Sequence, residues 1–211
     1  MGRPRHDENA VATTTRIVDA AVEAFAAEGF DGATLADIGA KAGITRPSLL
    51  YHFPSKERVY AAALERVFHD IEALVHAATV INDGVDAIHA DAVLDLVDGF
   101  AAFAASSPHT SRLLLRAIVA DQHAATRDMV LSRAVPIIDA VEAFARSAGA
   151  AGPGLRHALM AVIVDVLARA AAGDGAAALW GVTTHRAAAA RALFGVNVGA
   201  DATATAATPH A

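Results

Sequence analysis

The sequence predicts an all-helical chain, and three observations carry that expectation. Hydrophobic residues make up 55% of the 211 positions while aromatics make up only 5%. Alanine supplies much of that apolar share, and it is the strongest helix former. Strand-favouring residues occur, but never in the alternating runs that a half-buried strand requires. With a mean hydropathy of +0.38, there is ample apolar material for a core, which excludes bulk disorder.

The first helix is expected over Thr15 to Glu28, with Ile17, Ala21 and Phe25 on one face, widened by Val18 and Val22. Gly29 follows at a position that favours positive φ, and Asp31-Gly32 makes a turn. Thr34 starts a second helix as its cap, with Asp37 in the positive first turn. Leu35, Ile38 and Ala42 share a face, and Gly43 ends the helix.

Only Gly43-Ile44 precedes the next cap, Thr45, and a third helix runs to about His52. Pro47 suits its first turn, where a missing N–H costs nothing. It also disfavours helical geometry at Arg46, which moves the expected start one residue on. Phe53-Pro54-Ser55 breaks the chain, and Ser55 caps a long fourth helix to about Ala78. After Asn82-Asp83-Gly84, five further helical stretches are expected, at about 86–105, 109–119, 121–148, 154–172 and 175–194. Pro136 predicts a kink in the third of these. The low-complexity end, 199–211, is expected to be a disordered tail.

Several function classes are excluded early. The most apolar stretch, Leu155 to Ala172, carries Arg156, His157, Asp165 and Arg169, so it reads as a buried helix and not a membrane span. No apolar segment stands behind the charges of Met1 to Glu8, so no secretory signal is expected and the chain reads as cytoplasmic. Without cysteine there are no disulfides, zinc ribbons or thiol nucleophiles. Residues 1–60 hold seven basic and eight acidic side chains, and the rest hold ten and fifteen. Total charge therefore gives no vote for nucleic acid. Its arrangement does: Lys41, Arg46, Lys56 and Arg58 lie within eighteen residues, after most of the acids of that segment.

Thr34 to Ala42, a two-residue link, and Thr45 to His52 form a helix-turn-helix pattern. Ile44 plugs the angle between the helices, and Gly39 permits their close approach. Leu49 and Phe53 point inward, which turns Arg46, Ser48, Tyr51 and His52 outward, with Thr45 at the exposed start. In such a motif the beginning of the second helix meets base edges in the major groove, and Tyr and His at its far end suit phosphate contacts. By spacing alone, a purely structural helical hairpin remains open.

The wording of the segment goes further. Gly43-Ile44-Thr45-Arg46-Pro47-Ser48-Leu49-Leu50-Tyr51-His52-Phe53-Pro54-Ser55-Lys56-Glu57 resembles the DNA-binding domain of the TetR family of bacterial repressors. Gly2-Arg3-Pro4-Arg5 and Phe25-Ala26-Ala27-Glu28-Gly29-Phe30 are similar to the same family. The resemblance covers residues 2 to about 60. Leu50 stands where the family often has Tyr, and Pro47 where Gly or Ala is common, which leaves the base preference open.

The resemblance implies residue roles. Thr34 is the phosphate-touching cap of the second helix. Thr45, Arg46, Pro47 and Ser48 form the base-reading end, and Tyr51, His52 and Lys56 are phosphate clamps. Arg3 and Arg5 resemble an arm reaching an adjacent groove, with a solvated tail the alternative. The implied layout is a helix-turn-helix domain over 1–60 and a helical ligand-binding and dimerisation domain over 61–198. The expected partners are a palindromic operator in double-stranded DNA, a small-molecule effector, and a second copy held through the last two helices. Leu155, Leu159, Val162 and Val166 are the expected stripe of that interface.

Other constellations read as structural. His69 and His76 are separated by two helical turns, about 10 Å, too far for one metal. No His-Glu-x-x-His occurs. Asp91, Asp95 and Asp98 stack on one face but lack a cation-binding loop. Ser106-Ser107 near His109 reads as a helix break, and neither glycine-rich turn follows a strand or precedes a lysine. No metal, no cofactor and no catalytic residue is therefore expected. Asp165 has Arg169 one turn on, which reads as an ion pair, with a pocket acid or a cross-subunit contact as alternatives. Phe100, Phe103, Leu114, Ile118 and Met129 are candidates to line an apolar cavity, with His109, His123 or Asp165 supplying an orienting polar contact. Such a lining favours an apolar or neutral organic ligand. The competing reading is a small helical ligand carrier or enzyme without a DNA role.

Overall fold

A computed structural model describes residues 5–81, 89–119, 124–181 and 184–195. Arg3, the Arg5 side chain, the turn at 82–84, His123 and the tail from Gly199 lie outside the described residues. Every regular element among the described residues is helical.

Helix α1 spans Arg5–Gly32, starting ten residues before the expected Thr15. The Thr run, weak in helix propensity, is accommodated because the Thr14 and Thr15 hydroxyls donate back to the carbonyls of Ala10 and Val11. Ile17, Ala21 and Phe25 are fully buried, as their spacing predicts. Helical geometry breaks at Gly29, with φ 74° and ψ 178°.

Helices α2 (Leu35–Lys41) and α3 (Arg46–His52) follow, and α4 (Lys56–Ile81) runs out of this unit into the rest of the chain. Pro47 does not delay α3: the helix starts at Arg46, with the proline in its first turn. Ser55 caps α4 by accepting the Arg58 N–H. Phe25, Phe30 and Tyr60 form an aromatic cluster that ties α1 to α4, with the Phe25 and Tyr60 centroids 4.7 Å apart, edge to face. Such a pair adds about 0.5–1.5 kcal/mol beyond its burial.

The remaining helices are α5 (Ala90–Ser106), α6 (Pro108–Val119), α7 (Ala124–Ser147) and α8 (Leu155–Ala172). A 3-10 turn at Gly173–Gly175 leads to the short α9 (Ala176–Trp180) and to α10 (His185–Phe194). Helix α7 continues as one element through Pro136, where the sequence predicts a kink. Ser132 and Pro136 are exposed, so water can reach the carbonyl that lacks its N–H partner.

The single helix expected over 175–194 is two. Gly181 ends α9 at φ 72°, and Thr184 restarts the chain by accepting the Ala187 N–H at 3.2 Å. A positive-φ glycine and a capping threonine outweigh the helix propensity of the alanines on either side.

The buried side chains form one continuous core, from Ile17 in α1 to Leu193 in α10. Leu155, Leu159 and Val166, expected at a two-fold interface, are at most 3% exposed within the single chain. Buried within the chain, these three side chains are not available to a second copy. The acidic ladder Asp91, Asp95 and Asp98 clasps Arg186 of α10 at 2.8, 2.6 and 2.9 Å. Asp95, Asp98 and Asp91, in that order, hold this guanidinium above its already high range. No helix among the described residues is long and apolar enough to cross a membrane.

Candidate functional site

The exposed end of α3 is built by local rules. The Thr34 hydroxyl accepts the Asp37 N–H at 3.1 Å, and Thr45 accepts the Ser48 N–H at 3.3 Å. Each satisfies a donor that has no partner inside its helix. Between the helices Gly43 has φ 71°, and the Ile44 N–H donates to Gly39 O at 2.9 Å. A Cβ on Gly39 would lie 3.1 Å from the Ile44 carbonyl oxygen, tighter than an ordinary contact. The crossing of α2 and α3 therefore depends on a glycine there.

Leu49 is fully buried and anchors α3. Phe53 packs against the same core from a half-buried position. With that face inward, Thr45, Arg46, Pro47 and Ser48 are all exposed, together with Thr34 at the start of α2. Tyr51 is 88% exposed, and its ring stands edge-on to His52 at 5.6 Å. His52 is half-buried, with Nδ1 3.4 Å from Thr14 Oγ1. Of the sequence-read DNA residues, Thr34, Thr45, Arg46, Pro47, Ser48 and Tyr51 thus face solvent, with Arg46 the cation at the start of α3.

Lys56 is engaged at the edge of that surface. Its ammonium donates to Asp31 O at 3.1 Å and sits 4.9 Å from the Phe30 ring centroid. Lys41 is paired with Glu23 of α1. Any phosphate contact by either lysine must compete with these partners.

The second feature is a cavity of about 310 Å³ enclosed by α4, α5, α6, α7 and α8. Of the residues named for it from sequence, Phe100, Leu114 and Ile118 line it. Phe103 is not in the lining and stacks on Phe100, centroids 6.5 Å apart. Met129 packs on the core outside the lining. His109 is exposed near the start of α6. Asp165 also lies outside the lining, in an ion pair with Arg169 at 2.9 Å and 3.5 Å from His185 Nδ1.

The walls from α4 and α7 were not legible as walls. Phe68, Ile71 and Val75 of α4 and Val130, Ala134 and Ile138 of α7 show helical spacing, but that spacing serves a filled core equally well. Among the described residues, Arg127 is the one charged residue of the lining.

Helix α6 joins the cavity to α1. Leu114, Ala117 and Ile118 face the cavity. Between them Arg116 reaches the other way, donating from Nε to Ala26 O at 3.1 Å and from Nη2 to Ala27 O at 3.0 Å. These are carbonyls of the last turn of α1 before its break at Gly29, where a cation is favourable.

Comparison with known proteins matches residues 17–63 to the family described as bacterial regulatory proteins, tetR family. Over 60 residues the chain is 45% identical to the HTH-type transcriptional regulator SrpR of Pseudomonas putida, covering 28% of each chain. Over 54 residues it is 39% identical to IcaR of Staphylococcus epidermidis, named as the negative transcriptional regulator of the biofilm operon icaADBC, covering 26% of this chain and 29% of that one. These matches span less than a third of either relative. Among solved structures, a TetR-like transcriptional regulator from Rhodococcus sp. RHA1 superposes with a TM-score of 0.65 at 22% identity, covering 85% of this chain and 94% of that chain. That likeness extends the shared fold beyond the matched segment.

Proposed function

We propose, from the match of residues 17–63 to the TetR family of bacterial regulatory proteins, that the chain is a member of that family and a dimeric, DNA-binding repressor released from its operator by a small, largely apolar organic effector. The observation that carries this reading is the capped, outward-facing start of α3. Thr45, Arg46 and Ser48 stand exposed there while Leu49 locks the opposite face into the core. A helix held in that way can present its first turn to a major groove. No catalytic role is assigned to the chain, and the operator places its work in the cytoplasm.

In a symmetric dimer, two such helices meet successive major grooves about 34–36 Å apart. The second copy packs against the outward faces of α8 and α10, where Ala161 and Ala192 are exposed and Ala168 and Ala188 half-buried. Small residues allow close backbone approach there. The effector occupies the cavity among α4 to α8. Helix α6 forms part of its wall and holds α1 through Arg116. An effector that binds better to a wrongly spaced dimer lowers operator affinity by that difference and no more.

A gel-shift with the DNA upstream of the chain's own gene tests the reading, followed by a screen for compounds that abolish the shift. A discrete, competitor-resistant complex is expected. Binding that bulk DNA displaces as readily as the specific fragment would count against an operator-binding protein and for a ligand carrier.

A further inference from the structure

We propose that the effector is an amphipathic monocarboxylate, its hydrocarbon chain in the cavity and its carboxylate on Arg127; this rests on the cavity being the effector site. Apart from Arg127, the lining residues are aliphatic, aromatic or Met160. Polar atoms of a ligand placed deep inside would lose their water partners and gain none, so the body of the ligand must be apolar.

The one charge is placed where a head group would sit. Arg127 is exposed although it belongs to the lining, so it stands where the cavity meets solvent. Ile118, Leu131 and Val135 line the same cavity and are themselves 39, 52 and 38% exposed. An apolar rim with a single cation complements a molecule with an apolar chain and a single anion.

Among the described residues, Arg127 also differs from the other arginines of the C-terminal helices in its contacts. In the C-terminal helices Arg133, Arg146, Arg156, Arg169 and Arg186 all face carboxylates. Arg112 and Arg116 donate to main-chain carbonyls. Arg127 has no such partner among the described residues. A guanidinium offers a planar fork of donors that fits a carboxylate with two parallel bonds. A cationic amphiphile would be repelled, and a doubly charged phosphate ester would leave one charge unmatched. The volume of about 310 Å³ lies at the lower end of small-ligand sites, which suits a chain of medium length.

The test is calorimetric titration of the full chain with decanoate, decanol and decyltrimethylammonium. Decanoate is expected to bind about tenfold more tightly than decanol, the size of one charge-assisted hydrogen bond, and the ammonium more weakly than either. Arg127→Gln should remove the advantage of decanoate while keeping decanol binding, and Arg127→Lys should restore part of it. Equal affinity for decanoate and decanol in the unaltered chain, or a decanoate advantage that survives Arg127→Gln, overturns the head-group assignment and leaves the cavity as an apolar site. Absence of binding by both decanol and decanoate overturns the cavity as effector site, and this proposal with it.

Discussion

Arg116 and Gly29 approach each other so closely that a side chain on the glycine would press on the tip of the arginine. A Cβ built on Gly29 would lie 3.0 Å from Arg116 Nη1. The absence of that atom lets the guanidinium reach the carbonyls of Ala26 and Ala27. Gly29 also has φ 74°, which an L side chain resists. One residue therefore permits both the break in α1 and the clasp that holds α1 to the cavity wall.

Arg116→Ala should cost about 1–2 kcal/mol in urea melts, from two charge-assisted bonds at a partly exposed site. It should also weaken the link between effector and DNA. The effector concentration needed to abolish the gel-shift should rise, while effector affinity measured without DNA stays close to that of the unaltered chain. If both change in parallel, Arg116 supports the cavity and not the coupling.

Arg46→Ala should weaken specific DNA binding by about 1–3 kcal/mol and relax preference at one base pair, as for loss of a bidentate guanine contact. Competition between specific and bulk DNA measures this. Equal loss on both would reassign Arg46 to a phosphate.

Lys56→Ala should lower the slope of log affinity against log salt by about one unit on every sequence. Because Lys56 also bonds Asp31 O and lies over Phe30, the same variant should melt earlier. A lower melting temperature with an unaltered salt slope would make Lys56 a purely structural residue.

Gly39→Ala should destabilise the N-terminal helices by about 1–3 kcal/mol, since the added methyl meets the Ile44 carbonyl at 3.1 Å. Hydrogen exchange at α2 and α3 should speed up more than at α8. Uniform exchange across the chain would contradict a local clash.

Arg186→Ala should reverse the response to salt. In the unaltered chain, salt screens attraction between Arg186 and Asp91, Asp95 and Asp98, so stability should fall modestly. In the variant, salt screens repulsion among the three aspartates, and stability should rise. Melting curves at low and high ionic strength decide. The same sign in both proteins would show that the clasp contributes nothing measurable.

Much of the candidate DNA surface was legible because its determinants are local. Thr34, Thr45 and Ser55 cap helices from within four residues of the bonds they make, and Leu49 faces inward by helical spacing alone. Where local signals compete, sequence reading slips. Pro47 argued against helix at Arg46, yet the capping bond from Thr45 and the burial of Leu49 favour the earlier start. The alanines of 176–190 argued for one helix, which Gly181 and Thr184 divide.

The sequence by itself determined the helices, the caps, the glycine in the turn and the face of α3 that looks outward. Each of these follows from contacts between residues a few positions apart. Only the tertiary structure decided which apolar stripes meet each other. The stripe of Leu155, Leu159 and Val166 reads equally well as interface or interior, and packing within the chain makes it interior. The ladder of Asp91, Asp95 and Asp98 could be solvated until Arg186, 88 to 95 residues on, closes over it. Periodicity states that a face is apolar or charged. Which partner covers that face depends on long-range packing, which local spacing does not encode.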